Sequence, residues 1–317
     1  MMGVSQLKTG DKVDDYFLIK ICNVKVSATN NNKYLDIVVI DEDGEIDGKF
    51  WRYKDGDEEK FKSGTLVKIK GAIVSWMNAN QLRIDKLSEV TDEDNISIEK
   101  FIPSAPFKGE EMLKELKEYV DKIKNEDIAT IVELIVEKKE EKLLTAPAAM
   151  KNHHSIRSGL LYHTVTMLKA GDALSKIYTF INTDLLFAGI ILHDICKIDE
   201  MHNNEVGLVD EYTIEGQLLG HIIQGIKEIE VIGDKVGADK EVMMMLEHMI
   251  LSHHYNPEYG SPKKPMFPEA QMLHILDLLD ASLFDMKKAI DGIEVGTISE
   301  GIWSLDKRRV YKSNIKC

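Results

Sequence analysis

Residues 16–90 read as five short β-type runs, and nothing after them alternates like a sheet. The runs are Tyr16–Val26, Tyr34–Ile40, Ile46–Tyr53, Leu66–Trp76 and Gln81–Leu87, each mixing apolar and polar residues at the two-residue period of a half-buried strand. Turn chemistry separates them: Asn30-Asn31-Asn32, Asp43-Gly44, Asp55-Gly56, Ser63-Gly64 and Asn78-Ala79-Asn80. Five short strands in this space predict a small closed barrel, for which the OB-fold is the commonest five-stranded solution. Polar, acidic Thr91–Asn95, with Pro103 and Pro106 nearby, reads as a linker. From about Glu110 to Leu144 the period becomes helical, with Leu113, Leu116, Val120 and Ile123 on one stripe, then Ile128, Ile131 and Ile135. Five more helices are predicted: Gly159–Leu174, Thr183–Asp194, Ile214–Ile232, Lys240–Ser252 and Glu269–Ala289. The expected fold is therefore multidomain, α and β. An OB-like five-stranded barrel spans 1–92, a linker and helical segment 93–146, and an all-α domain 147–317.

The length of 317 residues suits two domains. A composition of 44% hydrophobic and 30% charged residues with only 7 Pro excludes disordered and collagen-like classes. No apolar run approaches the roughly 20 residues of a membrane helix. The first residues lack the apolar core of a signal peptide. The chain is therefore read as cytoplasmic, with Cys22, Cys196 and Cys317 as free thiols, none in a C-x-x-C pair. The net charge is −14: 15 cationic and 19 anionic residues up to position 100 (−4), then 25 and 35 (−10). Such a balance argues against a broad, sequence-blind nucleic-acid binder and reads as a solvated acidic surface. An acidic domain still suits phosphate esters where its carboxylates hold divalent metals.

All ten histidines lie at or after His153, several beside apolar runs. His163 follows Gly159-Leu160-Leu161-Tyr162, and His193-Asp194 closes Leu185–Leu192. His221 follows Leu218-Leu219-Gly220, and His253-His254 follows Ile250-Leu251-Ser252. A lone histidine on an apolar helix face is usually a hydrogen-bonded core residue. Recurrence on successive helices, with an adjacent Asp, points instead to a metal site, where imidazole and carboxylate together suit Mn, Fe, Co, Zn or Mg. A carboxylate beside a ligating His can bridge two ions and so clamp both oxygens of a phosphate-ester displacement.

The order His163, His193-Asp194, His221, His253-His254, Asp277 resembles the HD-domain phosphohydrolase superfamily, which is all-helical and metal-dependent. Within it, Gly159–Thr164, Ala188–Lys197, Glu215–His221, Ile250–His254 and Glu258-Tyr259-Gly260-Ser261-Pro262 are similar to the YhaM family. That family comprises cytoplasmic bacterial 3′→5′ exoribonucleases with an OB-fold ahead of the HD domain. Cys196 departs from the Gly that HD proteins often have at that position, where a small side chain should be tolerated. The resemblance implies His163, His193, Asp194 and Asp277 as one metal set, with Asp280 the rival for the last carboxylate. His221 with one or both of His253 and His254 would complete a second. It implies a divalent cofactor, two ions, Mn2+ first, with Mg2+, Co2+, Fe2+ and Zn2+ as alternatives. Asp194 and Lys197 are the catalytic candidates, Lys197 either donating to phosphate or pairing with Asp199 or Glu200.

Candidate substrate contacts are His154 (with His153, contacting phosphate or capping a helix), Lys197, and Lys263 with Lys264 in a proline-flanked loop. His248 and His274 read as structural and His202 as a surface residue. On the barrel, Trp51 and Trp76 are candidate base stackers, and strand alternation places one of Phe50 and Trp51 inside and the other outside. The expected partner is single-stranded RNA, with single-stranded DNA as a second polymer, no membrane, and a homo-oligomer left open. Two other readings stand beside the exonuclease: a phosphohydrolase of small or signalling nucleotides, and a non-catalytic RNA-binding regulator.

Overall fold

The computed structural model describes residues 3–27, 29, 31–41, 44–76, 79–91, 94, 96, 98–150, 154–203, 207 and 209–315. His153, Cys317, the turn residues Asn30, Asp43 and Asn78, and most of Thr91–Asn95 lie outside them. The chain divides into two compact units, Met1–Ser104 with Asn203–Asp210, and Ala105–His202 with Glu211–Cys317.

The first unit is a closed barrel of β1 (Lys12–Val26), β2 (Lys33–Asp41), β3 (Gly44–Phe50), β4 (Leu66–Trp76) and β5 (Ala79–Glu89), in the order β1-β2-β3-β5-β4. β3 and β5 run parallel, and the other neighbours are antiparallel. Closure depends on β1, which pairs β4 with its first half and β2 with its second, bending at a bulge between Ile19 and Ile21. Alternation sends Phe17, Ile19, Leu35, Ile37, Ile69 and Leu82 into the core. The strands match the expected five. β1 starts earlier than the pattern predicts, at Lys12, because Lys12–Asp15 pair with Ala72–Ile69 while offering few apolar side chains to signal it. A one-turn helix, α1 (Asp57–Lys60), lies between β3 and β4.

After the barrel, a 3-10 turn at Ile98–Phe101 packs Phe101 and Ile102 against Leu18 and Ile40. This falls within the segment 93–146 expected as linker and helix. Its apolar residues close the first unit, and its two helices, α2 (Gly109–Val120) and α3 (Glu126–Leu143), enter the core of the second. Leu116, Ile131 and Ile135 are buried there with Leu160, Leu186 and Leu246.

The second unit continues with α4 (Gly159–Ser175), α5 (Thr183–Leu192), α6 (Lys197–Glu200), α7 (Ile214–Val236), α8 (Lys240–Ser252) and α9 (Pro268–Asp291). Side-chain caps from Asn125, Asn182, Thr213 and Asp239 set the starts of α3, α5, α7 and α8. The expectation of a wholly helical domain misses a two-stranded ribbon, β6 (Met201–Asn203) with β7 (Val209–Tyr212). Its strands are too short to show a period. No helix among the described residues is long and apolar enough to cross a membrane.

Candidate metal centre

Two helices end at the same place, and their ends determine the site. α5 stops at Leu192 and α8 at Ser252, and the next residue in each case is a histidine. The last carbonyls of a helix lack intrahelical partners. His193 Nδ1 donates to Ile190 O (2.8 Å), and His253 Nδ1 donates to Ile250 O (2.7 Å). Each bond fixes a tautomer that leaves Nε2 bare. The two helix C-termini also bring negative partial charge to the site, which favours a cation.

The other imidazoles are held the same way. His163 Nδ1 donates to Asp280 Oδ2 (2.7 Å), His221 Nδ1 to Glu200 Oε2 (2.9 Å) and His254 Nδ1 to Tyr259 O (2.7 Å). Ligating histidines characteristically give their second N–H to a carboxylate or carbonyl. Gly216 and Gly220 permit the His221 arrangement. A Cβ at Gly216 would sit 2.2 Å from Glu200 O, and Gly220, at φ +70, kinks α7 just before His221.

The Nε2 atoms fall into two groups. In one, His163 Nε2 lies 3.3 Å from both His193 Nε2 and Asp277 Oδ1. The other gathers Asp194, His221, His253 and His254 within 4.8 Å of one another. Asp194 faces both: Oδ2 is 3.4 Å from His193 Nε2, while Oδ1 is 3.3 Å from His221 Nε2 and 3.7 Å from His253 Nε2. Asp194 Oδ1, His221 Nε2 and His253 Nε2 are buried without a hydrogen-bond partner. Unsatisfied buried acceptors are costly, and three converging on one point fit a cation.

The electrostatics agree. Burial would raise the pKa of Asp194, but Lys197 and His193 hold it well below the usual carboxylate range. Burial likewise opposes ionisation of Asp277, and His163 and His193 reverse it. Burial lowers His253 and takes His254 down to about 3, so both imidazoles are neutral and ready as ligands. His163 differs: burial works against its charge, yet hydrogen bonds to Asp277 and Asp280 lift it to about 9. Positive charge is favoured at that point.

The sequence-derived candidates fall out unevenly. His163, His193, Asp194, His221, His253, His254 and Asp277 all converge. Asp280 lies on the Nδ1 side of His163 rather than beside its Nε2, holding both His163 and His154. The His154 ring, expected at substrate phosphate or a helix cap, packs on Phe284 with centroids 3.9 Å apart, and its Nε2 donates to Asp280 at 2.8 Å. Lys197 pairs with Asp194 Oδ2 (2.7 Å) instead of Asp199 or Glu200, which serve Lys139 and His221. Cys196 is buried at ordinary backbone angles, so Gly is not required there.

His248 Nε2 accepts from the Met266 amide, and His274 Nδ1 donates to His253 O. His202 is exposed. Lys263 is exposed, and Lys264 lies over the Tyr255 ring. On the barrel Phe50 points in and Trp51 out, the latter stacked on Tyr34 at 4.4 Å; Trp76 is also exposed. Sequence reasoning missed Glu200 as the partner of His221 and the carbonyls of Ile190 and Ile250. The repeated spacing Ile190-x-x-His193 and Ile250-x-x-His253 carried the latter signal.

Residues 160–282 match the HD domain family. The 3′-5′ exoribonuclease YhaM of Bacillus subtilis (strain 168) is 36% identical over 310 residues, covering 98% of this chain and 98% of that protein. The protein of the same name from Halalkalibacterium halodurans is 37% identical over 313 residues, covering 98% and 96%. That from Listeria monocytogenes serotype 4b (strain F2365) is 36% identical over 304 residues, covering 96% of each. The chain, with its HD ligand order and its barrel, belongs to the YhaM family of 3′-5′ exoribonucleases.

Proposed function

We propose that the protein removes nucleotides one at a time from the 3′ end of single-stranded RNA by metal-dependent hydrolysis, releasing nucleoside monophosphates. The observation that carries this reading is the convergence of imidazole Nε2 atoms around Asp194, each ring with its Nδ1 already committed. His163, His193 and Asp277 would hold one divalent ion and His221, His253 and His254 another, with Asp194 shared between the two sets. Mn2+ is the first choice for such a mixed set, with Mg2+, Co2+, Fe2+ and Zn2+ as alternatives. Divalent ions in this setting supply Lewis acidity and an activated water.

The protein's own part is to orient and to charge. Asp280, Glu200 and the Ile190, Ile250 and Tyr259 carbonyls aim the rings. Lys197 keeps Asp194 ionised and places an ammonium where a phosphate oxygen could use a point charge. No nucleophilic side chain is needed, since water attacks. The barrel takes the strand: Trp51 on Tyr34, and Trp76, stack bases, and exposed Lys263 on the helical unit meets phosphates. The polarity rests on relatives named as 3′-5′ exoribonucleases. We place the protein in the cytoplasm and treat self-association as open to measurement, with single-stranded DNA as a second substrate.

The test is end-labelled single-stranded RNA with Mn2+, products resolved by length. Progressive shortening is expected, abolished by a bulky 3′ block and indifferent to the same group at the 5′ end. Cleavage of free or signalling nucleotides with no shortening of the strand would replace the reading with a small-molecule HD phosphohydrolase.

A further inference from the structure

The chain's three tryptophans are all exposed, and the most exposed, Trp303 at 79%, is not on the barrel. It starts a 3-10 turn, Trp303–Leu305, in the segment after α9. A tight turn follows. Asp306 and Lys307 both have positive φ (53° and 59°), the Arg308 amide donates to Leu305 O (2.9 Å), and Ile302 bridges Arg308. Two consecutive left-handed residues define this turn type, and non-glycine residues occupy it only at a cost. The turn brings Lys307 Nζ to 5.7 Å from the Trp303 ring.

The segment is cationic in an acidic protein. Residues 300–312 carry Lys307, Arg308, Arg309 and Lys312 against Glu300 and Asp306, a balance of +2 in a chain of −14. Lys307-Arg308-Arg309 is the chain's only run of three consecutive cations. Two of the four have structural work: Arg309 Nε donates to Ser299 O (2.9 Å) and Lys312 Nζ to Ile293 O (2.8 Å). Lys307, beside the indole, and its neighbour Arg308 remain exposed.

The turn is tied to the helix that carries Asp277 and Asp280, because Ser304 Oγ donates to Asp285. Asp285 lies about 12 Å along α9 from Asp277, at 1.5 Å per residue. Its neighbour Phe284 packs on His154, which holds Asp280.

The geometry points to Trp303, with Lys307 and Arg308, as a stacking and phosphate-binding platform for single-stranded nucleic acid beside the metal centre, separate from the barrel. Every base offers a π-face to an exposed indole, and cations flanking the ring meet the backbone, so the platform is indifferent to sequence. A strand with its 3′ end at the Asp194 cluster would lay a nearby nucleotide on Trp303. The placement at the 3′ end rests on the exoribonuclease reading.

Two measurements test it on the full chain. Binding of end-labelled single-stranded RNA is followed by anisotropy without added metal, and turnover is followed separately with Mn2+. Trp303→Ala is expected to raise both Kd and KM roughly tenfold, the scale of one lost base stack, leaving kcat within about twofold; Trp303→Phe restores most of the loss. Lys307→Asn with Arg308→Ser, the first chosen because Asn tolerates positive φ, should lower the salt slope of log Kd by about 0.7 for each charge removed. Unchanged Kd, KM and salt slope in these variants, with wild type still shortening RNA, overturns the platform and spares the exoribonuclease reading. Tenfold weaker RNA binding by Trp303→Ala, with wild type shortening no RNA, does the reverse. A lower sedimentation coefficient for Trp303→Ala with RNA affinity intact would make the indole a self-association contact and overturn the platform.

Discussion

Asp36 on the barrel and Asp280 in the helical unit are each held by two partners, yet they do different jobs. Asp36 pairs with Lys25 and Lys49, and their charges bring its carboxyl below the usual range against the opposing effect of burial. Lys25 is 53% exposed, so water would replace it readily. Asp280 receives His154 and His163, both buried, and through His163 reaches the candidate metal cluster. Partnership on the barrel settles surface charge. In the helical unit it aims a ring.

The largest effect expected from this contrast is at Asp194. Asp194→Asn keeps the side chain's shape but leaves one neutral oxygen where a carboxylate faced both clusters. Loss of metal content on purified protein and a fall in kcat of about 10²–10³-fold are expected, the scale of removing a transition-state charge stabiliser. Normal metal content with activity near wild type would undo the assignment of the centre. Circular dichroism should report an intact helical fold, since Lys197 would keep an amide oxygen to bond. Asp194→Ala is the poorer test, because it strands a buried ammonium at a cost of about 3–5 kcal/mol.

What the sequence shows differs between the same two regions. Barrel strands are legible because each side chain faces either core or water, so Leu35, Ile37 and Val39 alternate with Asp36 and Val38 and mark a face. The histidine set is legible for the opposite reason: His163, His193, His221 and His253 sit in apolar contexts where polar groups are expensive. Orientation is not legible. Asp277 and Asp280 are three residues apart on one helix, and only the direction of the His163 ring decides which carboxylate meets Nε2 and which Nδ1. Glu200 lies 21 residues before His221 on a four-residue helix with no periodicity to flag it. Phe101 and Ile102 were hidden by the prolines around them, so a packed turn read as linker.

Asp280→Asn sharpens the comparison with a smaller effect. All proposed ligands remain, but His163 loses the partner that fixes its tautomer. Metal affinity at that cluster should fall about 10- to 100-fold, as for other supporting-shell changes, with Asp277→Asn falling further. The pH dependence gives a second readout. With Asp277 and Asp280 in place His163 is lifted to about 9, so protons compete with a cation below that pH and wild-type affinity climbs as pH rises toward 9. Asp280→Asn removes part of that lift, and its affinity should climb less steeply. Calorimetric titration with Mn2+ across this range decides. An unchanged affinity and slope would return Asp280 to the status of a bystander.

The smallest effect belongs to the barrel. Lys25→Ala removes one of two partners from Asp36, but Lys49 stays on the same carboxylate, so no charge is left stranded. Exposed pairs contribute between zero and about 1 kcal/mol, because side-chain ordering and solvent screening consume most of the Coulomb gain. The urea midpoint of Lys25→Ala should correspond to a loss of less than about 0.5 kcal/mol at low salt, vanishing as salt rises and the Debye length shrinks. Metal content and Mn2+ affinity should match wild type, which is where the parallel with Asp280 parts. A loss above about 1.5 kcal/mol that persists in high salt would mean the Asp36 pairs are desolvated. The barrel's charges would then be working as the helical unit's do, and the distinction between the two carboxylates would fail.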